Sequence, residues 1–256
     1  MSFLDDLLVS TRARVEETKG KLSEDALEQR VASSSPPSGF ARALQGDGLS
    51  VIAEIKRSSP LKGPLNLDLD AAPLARAYAE GGAAAISVLT EPEGFKGSIE
   101  DMQAAKEAGL PVLRKDFILE PFQVLESRAS GADAILLIVR ALGDDLVGLA
   151  SSCTALGMDA LVEVHDENEL DRALEVGATL IGVNHRDLTT FEVDPDRTRK
   201  LAPLVPDGVT LVALSGVSRR EEMVELSDAG ADAVLIGETL VTAADPVAKL
   251  RELLGA

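Results

Sequence analysis

The chain has 256 residues, enough to bury a large core, and 43 acidic against 25 basic residues give it a formal charge of −18. That charge repels nucleic acid and anionic membrane over most of the surface. An aromatic content of 3% with no Trp offers no stacking platform for single strands, and no apolar run approaches the roughly eighteen residues of a membrane span. The single cysteine, Cys153, excludes an intramolecular disulfide and an all-cysteine metal site, and reads as a small filler on a helix. Met1–Lys19 is charged rather than signal-like, so the expectation is a cytoplasmic, soluble protein.

In chain order, Ser2–Lys19 predicts a helix and the Ser/Pro-rich stretch Val31–Gly39 a connector. Residues 1–46 stand outside the repeat that follows and are expected to cap one end of the fold. Val51–Ile55 is the first strand. A phrase then recurs four times, a Gly-Ala pair before an apolar run: Gly82-Ala83 before Ala84–Leu89, Gly131-Ala132 before Asp133–Ile138, Gly177-Ala178 before Thr179–Val183, and Gly230-Ala231 before Asp232–Gly237. Each reads as a helix end, a glycine turn and a buried strand. Pro111–Leu113, Asp159–Val164 and Thr210–Ala213 bring the strands to eight. Helical spacing separates them, as in Leu74, Ala75, Tyr78 and Ala79, or Leu170, Ala173 and Leu174. Apolar strands alternating with helices imply a parallel sheet. The first strand lacks a glycine-rich phosphate loop, and eight units in this length favour closure into a (β/α)8 barrel, one domain over 1–256, rather than a doubly wound open sheet.

In such a barrel the active site gathers at the carboxyl ends of the strands. Those ends carry Glu54 and Lys56, Lys115, Glu163, Asn184 and Arg186, Ser215-Gly216, and Gly237-Glu238. Glu54 and Lys56 share a parity that points both at the barrel axis, where they would pair with each other or with a ligand. One charged strand end is as often a salt bridge as a catalyst, but five strands contributing together are harder to explain structurally. Two lysines and two glutamates about one axis can tune each other into a general acid and a general base. Gly216 and Gly237 leave backbone N–H groups where barrels often bind phosphate, and Lys56, Arg57 and Lys62, clustered near Ser59-Pro60, suggest that an anion is expected there. Alternation turns His185 away from the axis, making it structural, whereas His165 shares the parity of Glu163. No histidine and carboxylate spacing suggests a metal site.

Several ordered motifs resemble one family. Ile52–Pro60, Ser87–Glu91 with Phe95–Ser98, Leu113–Phe117, Leu161–Val164, Gly182–Leu188 and Leu235–Glu238 are similar to indole-3-glycerol phosphate synthase over nearly the whole chain. The resemblance implies closure of the indole ring of 1-(2-carboxyphenylamino)-1-deoxyribulose 5-phosphate with loss of carbon dioxide and water, and no cofactor. It implies that Lys115 is the acid that polarises the carbonyl, and that Lys56 holds the carboxylate and protonates the departing hydroxyl. Glu163 and Glu54 move protons, and Asn184 orients hydroxyls. Gly216 and Gly237 hold phosphate with Ser59 and Ser215, Arg186 anchors the surrounding loop, and Phe95 and Phe117 line an aromatic pocket; Glu238 belongs to the same binding end. One position departs from the family, which usually has Glu-Ser-Gly where this chain has Leu214-Ser215-Gly216. Two alternatives follow. A phosphoribosylanthranilate isomerase-like enzyme would need a cysteine base on the first strand, where Glu54 and Lys56 stand. A non-catalytic phosphate-binding barrel is supported by Leu214 alone.

Overall fold

The computed structural model describes residues 3–46, 48–187 and 192–256; Ser2, expected to begin the first helix, and Leu188 lie outside them. Eight parallel strands close into a barrel: β1 (Ser50–Ile55), β2 (Ala85–Leu89), β3 (Val112–Lys115), β4 (Ala134–Ile138), β5 (Asp159–Val164), β6 (Leu180–Asn184), β7 (Thr210–Leu214) and β8 (Ala233–Ile236). β8 closes on β1 through the register Ser50↔Ala233 to Ala53↔Ile236, so the sheet has no open edge and the doubly wound alternative falls. All residues of β2, β4, β6, β7 and β8 are buried, as apolar strands covered by helices should be. The four recurrent glycines, Gly82, Gly131, Gly177 and Gly230, all have φ between 75° and 98°, the left-handed turn that side chains resist.

The third strand departs from expectation. Pro111–Leu113 was the apolar run, but β3 continues to Lys115. It can do so because Arg114, fully buried, finds Glu126 and Asp116 inside the protein. A charged residue is tolerated in a core strand when each of its donors meets an acceptor.

The amino-terminal extension clasps the barrel. α1 (Phe3–Lys21) is joined to α2 (Glu24–Ser33) by the N-cap Ser23, whose hydroxyl accepts from the Ala26 N–H. The connector expected at Val31 therefore starts at Ser34, because Val31–Ser33 belongs to α2. Val15 and Leu27 pack with Phe122 in a small satellite core. Beyond α2 the Ser38 N–H donates to Asp133 and the Ala41 N–H to Asp159, two carboxylates at the amino ends of β4 and β5, while Phe40 and Leu44 are buried there. The extension so runs from one end of the barrel to the other.

Candidate active site

At the carboxyl ends of the strands lies a cavity of about 340 Å³. Of the residues singled out in the sequence, Glu54, Lys56, Ser59, Phe95, Lys115, Phe117, Asn184, Arg186, Leu214, Ser215, Gly216, Gly237 and Glu238 all line it. Glu163 is not among the described lining residues. It sits below, almost wholly buried, and its Oε1 accepts a 3.0 Å hydrogen bond from Asn184 Nδ2.

On β1 the shared parity of Glu54 and Lys56 becomes an ion pair, Lys56 Nζ to Glu54 Oε1 at 3.0 Å. Gly237 makes room for it: a Cβ there would stand 2.3 Å from Glu54 Oε1 and 3.2 Å from Lys56 Nζ. The loop after β1 crosses to β8 through an ion pair between Lys62 and Glu238, and the Ser59 hydroxyl accepts from the Lys62 N–H at 3.3 Å. Arg57 differs from expectation. Its guanidinium binds both oxygens of Asp101 and the carbonyls of Leu67 and Leu69, so it ties the loop down rather than facing an anion. The clustered cations Lys56, Arg57 and Lys62 are thus paired with Glu54, Asp101 and Glu238.

Lys115, at the end of β3, forms no ion pair among the described residues. Beside it Asp116 binds Arg114, Arg14 of α1 in bidentate fashion, and the Thr90 hydroxyl. Burial by itself would raise Asp116, but Arg114, Arg14 and Thr90 outweigh it and hold the carboxyl below the ordinary aspartate range. Every charge under Lys115 is matched, which leaves its ammonium for whatever enters the cavity. Phe95 and Phe117 stand on this side with Leu89. The Glu91 carboxylate accepts from the N–H groups of Glu93, Gly94 and Phe95, fixing the loop that carries Phe95.

On the opposite side Asn184 is a hub. Its Oδ1 accepts from the Ser215 hydroxyl and from the Arg186 N–H, both at 3.0 Å. Ser215 has φ 72° and Gly216 φ 90°; a left-handed serine costs of order 1–3 kcal/mol and persists where its surroundings hold it. Asn184 is one such support and His185 another. His185 donates its backbone N–H to the Leu214 carbonyl next to that serine and its ring lies 2.7 Å from the Thr198 hydroxyl; burial first and then Arg197 depress its basicity. It faces away from the cavity, as alternation predicted. Leu214 is buried against Gly182, where a Cβ would meet its Cδ1 at 2.8 Å, and it presents an apolar wall beside Asn184. Cys153 is buried on the helix Leu146–Ala155, its thiol pushed up to about 12 by burial and then by Asp159; it is packing, not a nucleophile.

The profile of indole-3-glycerol phosphate synthases matches residues 4–253. The chain is 50% identical over 248 residues to the indole-3-glycerol phosphate synthase of Parafrankia sp. (strain EAN1pec), covering 96% of this chain and 92% of that one. It is 47% identical over 255 residues to that of Mycolicibacterium vanbaalenii, covering 99% and 94%. The chain belongs to the indole-3-glycerol phosphate synthase family. Among solved structures, 3-hexulose-6-phosphate synthase aligns with a TM-score of 0.63 at 18% identity, covering 81% of this chain and 99% of that one. Thiamine phosphate pyrophosphorylase from Pyrococcus furiosus gives 0.62 at 19%, covering 81% and 94%. At such identities these two show the shared barrel alone.

Within this synthase-family site, sequence reasoning missed the contribution of α1. Phe3, Leu4 and Leu7 line the cavity, so the extension is one of its walls. The spacing of Leu4 and Leu7 on one helix face was the available signal, but nothing local said which surface that face would meet. Among the described residues no cluster of His, Cys, Asp and Glu could hold a metal ion, and no helix is long and apolar enough to cross a membrane.

Proposed function

We propose that this cavity closes the indole ring of 1-(2-carboxyphenylamino)-1-deoxyribulose 5-phosphate, with Lys115 as the general acid. The observation that carries the reading is the polarity of the cavity. β1 stands between β8 and β2 in the closed sheet, so backbone-rich turns at Ser215-Gly216 and Gly237 occupy one side. The other side holds Phe95, Phe117 and the apolar face of α1. A substrate with a phosphate tail and an aryl head fits that gradient, and the reacting carbons then fall near Lys56 and Lys115.

The chemistry needs two protons delivered and one removed. Attack of the carboxylate-bearing ring carbon on the ketone requires one proton on the carbonyl oxygen, and Lys115, which no carboxylate holds among the described residues, supplies that proton. Carbon dioxide departs and its bonding electron pair returns to the ring. Loss of water then requires a proton on the hydroxyl, which Lys56 delivers after holding the substrate carboxylate, and removal of a proton from the neighbouring carbon by Glu54 or Glu163. Asn184, oriented by Ser215 and Glu163, aligns the hydroxyls. Arg186 holds the loop after β6, and Ser59 and Glu238 close the phosphate end. We read the protein as a cytoplasmic enzyme of tryptophan biosynthesis whose partner is this phosphorylated small molecule.

Fluorescence of the indole product tests the reading directly. The wild-type chain should form indole-3-glycerol phosphate, and Lys115→Ala should lose about 10²- to 10⁴-fold in kcat, the usual worth of a general acid, with KM little changed. Near-normal kcat in Lys115→Ala would remove it from the acid role.

A further inference from the structure

Two residues beyond Glu163 and one past the end of β5, His165 is buried between two carboxylates. Its Nδ1 lies 3.0 Å from Glu169 Oε2, and the same oxygen accepts the His165 backbone N–H at 2.8 Å. Its Nε2 faces Glu163 Oε1 at 3.5 Å. Neither that nitrogen nor Glu163 Oε2 has a hydrogen-bond partner among the described residues. Orphaned buried polar atoms are uncommon, and two on facing side chains call for an explanation.

Valence supplies it. Glu169 is ionised: burial would raise it, but His165 and Arg140 together hold it below the ordinary range. Arg140 Nε binds Glu169 at 2.8 Å and its Nη1 binds Asp187 at 2.9 Å. An ionised carboxylate only accepts, so His165 Nδ1 must carry a hydrogen. In neutral imidazole that leaves Nε2 a bare lone pair aimed at Glu163. With Glu163 also ionised, two acceptors would face each other in a buried site. One added proton removes the conflict, as imidazolium against carboxylate or as imidazole against carboxylic acid.

Resting on the synthase function proposed above, we propose that His165 is a positioning residue for Glu163, sharing one proton with it, so that Glu163 can give or take a proton without solvent. The charged groups that face the pair are Glu169 from the helix Glu167–Glu175 and, through it, Arg140 after β4 and Asp187 after β6; Asn184 is the polar neighbour from β6. The Glu169, Arg140 and Asp187 chain fixes the ring, and Asn184 links the shared proton to the cavity wall.

The chain has two histidines, which makes a direct test practical. Nitrogen-15 NMR of histidine-labelled full-length protein at neutral pH, assigned by the signals missing from His165→Asn, reads both ring nitrogens of His165. In the wild type Nε2 should report a proton bound or closely donated, with Nδ1 protonated. In Glu163→Gln, Nε2 should move toward a bare acceptor while Nδ1 stays protonated. Identical Nε2 signals in the two proteins would overturn the proposal whatever the activity. Kinetics supply the second arm. His165→Asn keeps an amide where Nδ1 stands and His165→Gln keeps one where Nε2 stands, but neither exchanges a proton. Both should lose about 10²-fold in kcat, within the range for one acid–base group, with KM within about threefold and an altered kcat–pH profile. Recovery of wild-type kcat in His165→Gln, or an unchanged profile in both, would reduce His165 to packing. A wild-type chain without indole product, but with the coupled Nε2 signal, would sink the synthase reading and leave the proton pair standing.

Discussion

The two sides of the active-site mouth are built on opposite principles. On the β2 and β3 side, Lys115 stands above a closed network in which Arg114, Asp116, Glu126, Thr90 and Arg14 satisfy each other in the interior. On the β7 and β8 side the site is made of turns: a left-handed serine, two glycines, and the apolar side chain of Leu214. A saturated charge network leaves the Lys115 ammonium without an ion-pair partner among the described residues. Turns expose backbone N–H groups to an anion but depend on neighbours such as Asn184 and His185 for their shape. The first side should therefore fail through stability or through the loss of one group, and the second through geometry.

The largest effect short of removing Lys115 belongs to the network. Asp116→Ala leaves Arg114 buried beside an empty partner, and breaking a buried pair typically costs about 3–5 kcal/mol; thermal and denaturant unfolding should show it, with α1 loosened because Arg14 loses its anchor. The same carboxylate gives a pH signature. Its folded-state affinity for protons is depressed, so its stabilisation is complete above the ordinary aspartate value of about 3.9 and is lost as pH falls below it. Asp116→Asn should flatten that acid limb, and an unchanged limb would show that the network is not what stabilises this side.

Gly237→Ala probes the other side. Its methyl group would lie 2.3 Å from Glu54 Oε1, so the Glu54 carboxylate must shift and the Glu54–Lys56 pair rearrange to admit it. We expect a clear fall in kcat/KM with a smaller change in Tm. Equal activity would mean that the ion pair relaxes at no cost and that the comparison overstates the tightness of this turn.

Leu214→Glu should lower stability modestly, since burying a leucine contributes about 1.5–3 kcal/mol and a carboxylate needs a cation to offset its desolvation. It should also raise kcat/KM by about tenfold, below the usual span for one acid–base group, by supplying the carboxylate that the family resemblance implies at this position. Steady-state kinetics beside a thermal melt decide it: unchanged kcat/KM in a folded variant means that Glu54 and Glu163 suffice.

The smallest effect concerns His185. Its basicity is depressed in the fold, by burial first and then by Arg197, so the unfolded chain takes up its proton earlier as pH falls. Stability that is full above about 6.5 should decline below it. His185→Gln should remove part of that decline in unfolding curves between pH 7 and 5. A decline unaltered by the substitution would point to other groups.

By itself the sequence determined the closed barrel, because eight apolar runs separated by helical spacing and glycine turns leave few ways to bury every strand, and it pointed to the candidate site through polar residues at strand ends, where burial disfavours them unless they are paired or meet a ligand. The facing of Glu54 with Lys56 was legible because period two is fixed by backbone geometry, and so was the turning away of His185. Only the tertiary structure decided which cations are already engaged, as Arg57 with Asp101 shows: a guanidinium reaches far enough that sequence position does not name its partner. The same holds for β3, which runs on through Arg114 because acceptors come from other elements, for Glu163, which lies behind Asn184, and for α1, whose apolar face became a cavity wall. Local periodicity follows from the chain's own backbone. Long-range pairing depends on which surfaces meet, and that is set by the packing of the whole barrel.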